Sequence, residues 1–140
     1  MSDRARPARF VSIQHGLREE SAANDLHGDG YVERALAAMR ADPARAWTVA
    51  ALARVAGLSR APFARRFRRA TGTSPLRWLA EHRLGLAREL LVGTGQGLAA
   101  IAVEIGYGSE FAFSKAFKRV FGVPPGLFRR LAAREGRGAV

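Results

Sequence analysis

Residues 49–75 read VAALARVAGLSRAPFARRFRRATGTSP, and residues 98–125 return to the same plan as LAAIAVEIGYGSEFAFSKAFKRVFGVPP. Superposed, Leu52 meets Ile101, Ala53 meets Ala102, Gly57 meets Gly106, Phe63 meets Phe113, Phe67 meets Phe117, Gly72 meets Gly122 and Pro75 meets Pro125. The offset changes from 49 to 50 residues within the turn, so one residue has been inserted between two segments that each keep their register. A loop tolerates such an insertion and a helix does not. Each copy is therefore a short helix, a glycine-containing turn and a second helix with two phenylalanines four residues apart, which is the outline of a helix-turn-helix.

The second helix of each copy has two different sides. At about 100° per residue, Phe63, Phe67 and Ala70 share one side, and Ala61, Ala64, Arg65 and Arg68 share the other. In the second copy Phe113, Phe117 and Val120 form the inner stripe, while Phe111, Ser114, Lys115 and Lys118 point outward. Arg65 and Lys115 occupy the same repeat position. A solvated helix face normally mixes signs, yet Arg60, Arg65, Arg66, Arg68 and Arg69 have no acidic residue among them. Such a cluster repels itself until an external polyanion neutralises it.

Outward from the repeats, the pattern turns helical at Asp29, with Val32, Leu36 and Met39 at helical spacing, and stops at Asp42-Pro43 because a residue before proline is pushed out of the α region. Thr48 is placed as an N-cap for 49–55, Gly57 as a left-handed stop, and Ser59 as the cap of the helix that runs to about Ala70. Ser74-Pro75 opens the longest helix, to about residue 92, with Leu76, Leu79, Leu84, Ala87 and Leu91 along one side. Gly93, Gly95 and Gly97 then break the pattern; no strand precedes them, so they read as a flexible connection rather than a phosphate loop. Helices over 98–105, 109–121 and 125 to about 133 complete an all-α reading with seven helices and no strand alternation. The expected organisation is a weakly structured tail over 1–28, a domain over 29–133 and a short tail over 134–140.

Composition narrows the partners. The 140 residues carry a formal charge of +11 and a pI near 11.6, and the four arginines of the first 28 residues are balanced by Asp3, Glu19, Glu20 and Asp25. The whole excess lies after residue 28, and nucleic acid is the favoured polyanion. There is no cysteine, and His15, His27 and His82 have no metal-ligand spacing, which excludes a zinc finger. No cofactor is expected. The longest apolar runs fall far short of a membrane span, so a soluble cytoplasmic protein without membrane contact is expected. No GxSxG, HExxH, P-loop or paired-carboxylate constellation is present, so an enzyme is not expected. Trp47 and Trp78 adjoin helix starts and read as core rather than as base-stacking platforms, and His82 reads as a surface or core residue.

The segment LARVAGLSRAPFARRFRRATGTSPLRWLAEHRLGLARELL, followed by IAVEIGYGSEFAFSKAFKRVFGVPPGLFRR, resembles the DNA-binding domain of the AraC/XylS family of bacterial transcription regulators over about residues 31–133. Phe128 departs mildly from the tyrosine or tryptophan usual there. The resemblance implies a sequence-specific regulator that places its third and sixth helices in two adjacent major-groove segments of double-stranded DNA, with a DNA-binding part that is monomeric on its own and RNA polymerase as a further partner. Transferred by position, the base-facing candidates are Arg60, Ala61, Ala64 and Arg65 in the first unit, and Glu110, Phe111, Ser114 and Lys115 in the second. Arg65 suits bidentate pairing with guanine and Phe111 a thymine methyl. Glu110 has a second reading, as a first-turn anion stabilising its own helix. Thr48, Arg66, Arg68, Arg69, Lys118 and Arg119 are expected at phosphates, which position without specifying. A linker helix of about 19 residues spans about 28 Å, against a groove repeat of about 34 Å. The rival reading is a nonspecific architectural or RNA-binding basic protein, which needs no matched pair of helices.

Overall fold

Asp29 opens the first helix: its carboxylate accepts a hydrogen bond from the Val32 amide at 3.1 Å, satisfying one of the donors that a helix start leaves unpaired. The computed structural model describes residues 29–138, and the expected N-terminal tail lies outside them. Among the described residues there are seven helices and no strand: α1 Gly30–Ala41, α2 Val49–Ala56, α3 Arg60–Thr71, α4 Pro75–Gly93, α5 Leu98–Ile105, α6 Glu110–Phe121 and α7 Pro125–Gly138. No helix among them is long and apolar enough to cross a membrane.

The chain divides between His82 and Arg83 into two compact units, each with its own core. In the first, Val32, Leu36 and Met39 of α1 meet Leu52 and Ala56 of α2, Phe63 and Phe67 of α3, and Trp78 and Leu79 of α4. In the second, Leu84, Ala87 and Leu91 of α4 meet Ile101 and Ile105 of α5 and Phe113, Phe117 and Phe121 of α6. Each fully buried phenylalanine stabilises its unit by about 1.5–3 kcal/mol. In the second core the rings pack on one another, with Phe128 set edge-on to Phe117 at 5.4 Å between ring centroids and Phe117 at 4.5 Å from Phe121. Phe128 thus fills its place as a ring without a polar handle.

The two turns are built alike. Gly57 and Gly106 have φ of +90° and +100°, where a side chain would be strained, and the next amide reaches back to the helix: Leu58 to the Ala53 carbonyl at 3.0 Å, Tyr107 to the Ala102 carbonyl at 2.8 Å. Leu58 and Tyr107 then pack on their respective cores.

Three local expectations are corrected. Ser59 holds the N-cap position of α3, but its hydroxyl makes no capping bond, whereas Ser109 accepts from the Ala112 amide at 3.0 Å. The helix α7 does not stop near Ala133 but runs to Gly138, because Arg134 and Glu135 continue it and a glycine costs only about 1 kcal/mol. The connection through Gly93, Gly95 and Gly97 is tied rather than loose. Arg129 donates to the Leu91 carbonyl at 3.0 Å and the Thr94 carbonyl at 3.2 Å, Thr94 donates to the Leu90 carbonyl at 2.7 Å, and Gln96 donates to Glu104 at 2.8 Å.

Candidate nucleic-acid interface

The outward face of α3 is set by what its inner face buries. With Phe63, Phe67 and Ala70 in the core, Arg60, Ala61, Arg65, Arg68 and Arg69 are exposed and Ala64 is half-buried, as the helical period expects. On α6 the burial of Phe113, Ala116, Phe117 and Phe121 leaves Glu110, Phe111, Lys115, Lys118 and Arg119 exposed, with Ser114 half-buried. The small Ala61 and Ala64 leave Arg65 unobstructed on the first face. On the second, Phe111 is 71% exposed, and the Lys115 ammonium stands 5.4 Å from its ring centroid.

Arg66 parts from the cluster to which the sequence assigns it. Its guanidinium lies 3.4 Å from the Asp29 carboxylate and 4.9 Å from the Tyr31 ring centroid, so this arginine ties α3 to the start of α1. The repeat explains why: fifty residues on, its counterpart Ala116 is buried in the second core. The position is turned partly toward the protein, and the arginine there, with 34% of its side chain exposed, finds an internal partner. Arg60, Arg65, Arg68 and Arg69, by contrast, form no ion pair with another described residue.

The supports of the two faces include residues that sequence reasoning missed. Arg34 donates to the Ala56 carbonyl at 2.8 Å and so closes the C-terminal end of α2, and like Arg66 it stands over the Tyr31 ring, 5.2 Å from its centroid. The sequence marks Asp29 only as the point where the pattern turns helical; its cap to the Val32 amide and its pairing with Arg66 were not read there. Thr48 is exposed, and its hydroxyl accepts from the Ala51 amide at 3.0 Å at the start of α2; Gly97 makes no side-chain bond at the start of α5.

In the second unit Tyr107 sits behind the turn, 6.1 Å from the Phe113 ring. Burial raises the pKa of its hydroxyl, partly offset by the positive charges of Arg83 and Arg119, and burial lowers that of Arg83. Tyr107 therefore stays neutral at physiological pH. Trp47 and Trp78 are buried; the Trp47 indole donates to the Asp42 carbonyl at 2.9 Å, and His82 stacks on Trp78 at 5.0 Å. Among the described residues no group of three or more histidine, cysteine or acidic side chains is placed to hold a metal.

Comparison with known proteins places this arrangement. The family profile described as a helix-turn-helix domain matches residues 52–131. A Streptomyces lividans protein named as an AraC-like transcription regulator is 48% identical over 102 residues, which is 73% of this chain and 34% of that protein. The RCS-specific HTH-type transcriptional activator RclR of Escherichia coli K12 is 45% identical over 87 residues, 62% of this chain and 31% of that one. The chain thus spans about a third of the length of these curated relatives. The crystal structure of the AdpA DNA-binding domain in complex with a target DNA superposes with a TM-score of 0.69 at 33% identity, covering 79% of this chain and 96% of that domain. With its two repeated helix-turn-helix units and these likenesses, the chain belongs to the AraC-type family of helix-turn-helix DNA-binding domains.

Proposed function

We propose that this chain is a sequence-specific, double-stranded DNA-binding transcription regulator in which α3 and α6 each enter a major-groove segment, the two segments being adjacent. The observation that carries this reading is the duplicated outward face. Two helices, each locked by phenylalanines on one side, present short or apolar side chains flanked by cations on the other. Arg60, Ala61, Ala64 and Arg65 face bases in one segment; Glu110, Phe111, Ser114 and Lys115 face bases in the next. Arg68, Arg69, Lys118 and Arg119 meet phosphates, as do the amides at the start of α2 beside Thr48. Arg66 is left out of the phosphate set because Asp29 already holds it.

The named relatives are transcription regulators, and the AdpA domain is known with its target DNA, which supports the same role here. The regulator acts in the cytoplasm, its DNA-binding part is monomeric alone, RNA polymerase is its further partner, and it has no catalytic activity or cofactor. Selection of bound sequences from a random duplex pool, followed by footprinting, tests the proposal. Two enriched blocks about one helical turn apart are expected. Equal affinity for selected and random duplex, at every salt concentration, would return the chain to the nonspecific basic class.

A further inference from the structure

On α6 a phenyl ring and an ammonium share one exposed spot. Phe111 is 71% exposed at the second position of the helix, and the Nζ of Lys115, one turn on, is 5.4 Å from its ring centroid. The matching pair in the first unit is Ala61 and Arg65, so the ring is a feature of the second unit alone. Phe111 adds nothing to the core under α6, whose inner face is already filled by Phe113, Phe117 and Phe121. A phenyl ring offers no hydrogen bond and can distinguish base pairs in the major groove only by their one apolar feature, the C5 methyl of thymine. Beside that methyl, on the same base edge, thymine presents the O4 acceptor. An ammonium held next to a phenyl ring matches an acceptor held next to a methyl.

We propose that Phe111 and Lys115 act as one thymine-reading pair, the ring taking the C5 methyl and the ammonium the O4 oxygen of the same base. This rests on the reading of α6 as a recognition helix. It commits the second unit to a thymine at one defined position and separates four pyrimidines. Thymine keeps both contacts. Uracil keeps O4 and loses the methyl. 5-Methylcytosine keeps the methyl but turns an amino donor toward the ammonium. Cytosine loses both. The carboxylate of Glu110, adjacent in sequence, lies about 100° away around the helix and does not share this spot.

The test uses the complete 140-residue chain and the duplex that it selects, with each thymine of the half under α6 replaced in turn by deoxyuridine, cytosine or 5-methylcytosine. At one position uracil should weaken binding about fourfold, the factor equivalent to burying one methyl group at about 0.8 kcal/mol. 5-Methylcytosine should weaken it by at least about fivefold, as for a lost base contact. Cytosine should show both losses together. Phe111→Ala should erase the thymine-to-uracil difference while keeping the thymine-to-5-methylcytosine difference, and Lys115→Ala should do the reverse. A neutral response to uracil throughout that half overturns the inference, as does a selected half-site without thymine or a uracil effect that survives Phe111→Ala; the selected duplex would then still be preferred over random DNA. No preference over random DNA overturns the regulator reading and the inference with it. Melting curves of the two variants that match the unsubstituted chain exclude misfolding as the cause.

Discussion

The two helix-turn-helix units share a frame but divide their stabilising devices in opposite ways. In the first, α2 is capped by Thr48 while α3 begins without a side-chain cap and carries Arg60 in its first turn. In the second, α5 begins at an uncapped Gly97 while α6 is capped by Ser109 and carries Glu110 in its first turn. Cations disfavour a helix N-terminus and anions favour it, so α6 is the better-made helix start and α3 the worse. Charge follows the same split: residues 48–72 hold six arginines and no acid, residues 97–122 three cations and two carboxylates. The first unit breaks local rules of helix stability at its outward face, which is where a site for an external anion is expected to break them. The second unit keeps those rules and offers a milder surface.

The frame itself should break most easily at its rings. Phe67→Ala and Phe117→Ala should each cost about 3–5 kcal/mol, since both side chains are fully buried. Native-state hydrogen exchange should show protection lost mainly on the side of His82 that carries the substitution. Loss of protection across all seven helices in both variants would mean that the two cores unfold together.

Electrostatics come next. For the four cations assigned to phosphates, Arg68, Arg69, Lys118 and Arg119, the log-log dependence of affinity on salt should have a slope of about −4. Removing Arg68 and Arg69 together should flatten it by about 2, and removing Lys118 and Arg119 by about 2. Arg66→Ala should leave the slope where it was, because that guanidinium is held by Asp29. A slope that Arg66→Ala changes as much as Arg68→Ala does would put Arg66 back among the phosphate contacts.

Base preference should divide by unit. Arg65→Ala should relax selectivity in one half of the site and Lys115→Ala in the other, each by about 1–3 kcal/mol, read by repeating the selection with each variant. Equal weakening on specific and random DNA would make either residue a phosphate contact.

The caps should give the smallest effects and the clearest contrast. Thr48→Ala and Ser109→Ala should each cost about 1 kcal/mol in thermal or denaturant unfolding, and Ser59→Ala only a few tenths, because its hydroxyl caps nothing. Arg60→Glu should stabilise the free protein by about 0.3–1 kcal/mol while weakening DNA binding. A destabilised Arg60→Glu would remove the conflict between helix start and charge in the first unit.

Most of the frame was legible because it rests on periodic and paired signals. The phenylalanine spacing, the glycines at 57 and 106, the proline starts at 75 and 125 and the changing repeat offset each have one physical meaning, and each appears in the structure where the sequence places it. What was not legible depended on partners distant in sequence. Arg66 looks like its neighbours until Asp29, 37 residues earlier, is brought beside it. Gly93, Gly95 and Gly97 look loose until Arg129 and the Gln96–Glu104 pair are in place, and none of the three has the positive φ that requires glycine. Ser59 has the right identity for a cap, but the choice between capping and not capping is made by local geometry that a residue type does not encode. The reading of individual base contacts depends on the same kind of detail, one step further from the sequence.

The comparison is decided most directly on DNA. With the selected duplex in hand, randomising in turn the half footprinted by α3 and the half footprinted by α6 measures what each unit contributes to affinity at fixed salt. The first unit, with its arginines and its unopposed charge, should carry the greater share, so randomising its half should cost more and its selected motif should be the better defined. A greater loss on randomising the half contacted by Ser109 to Phe121, or equal losses from the two, would contradict the account.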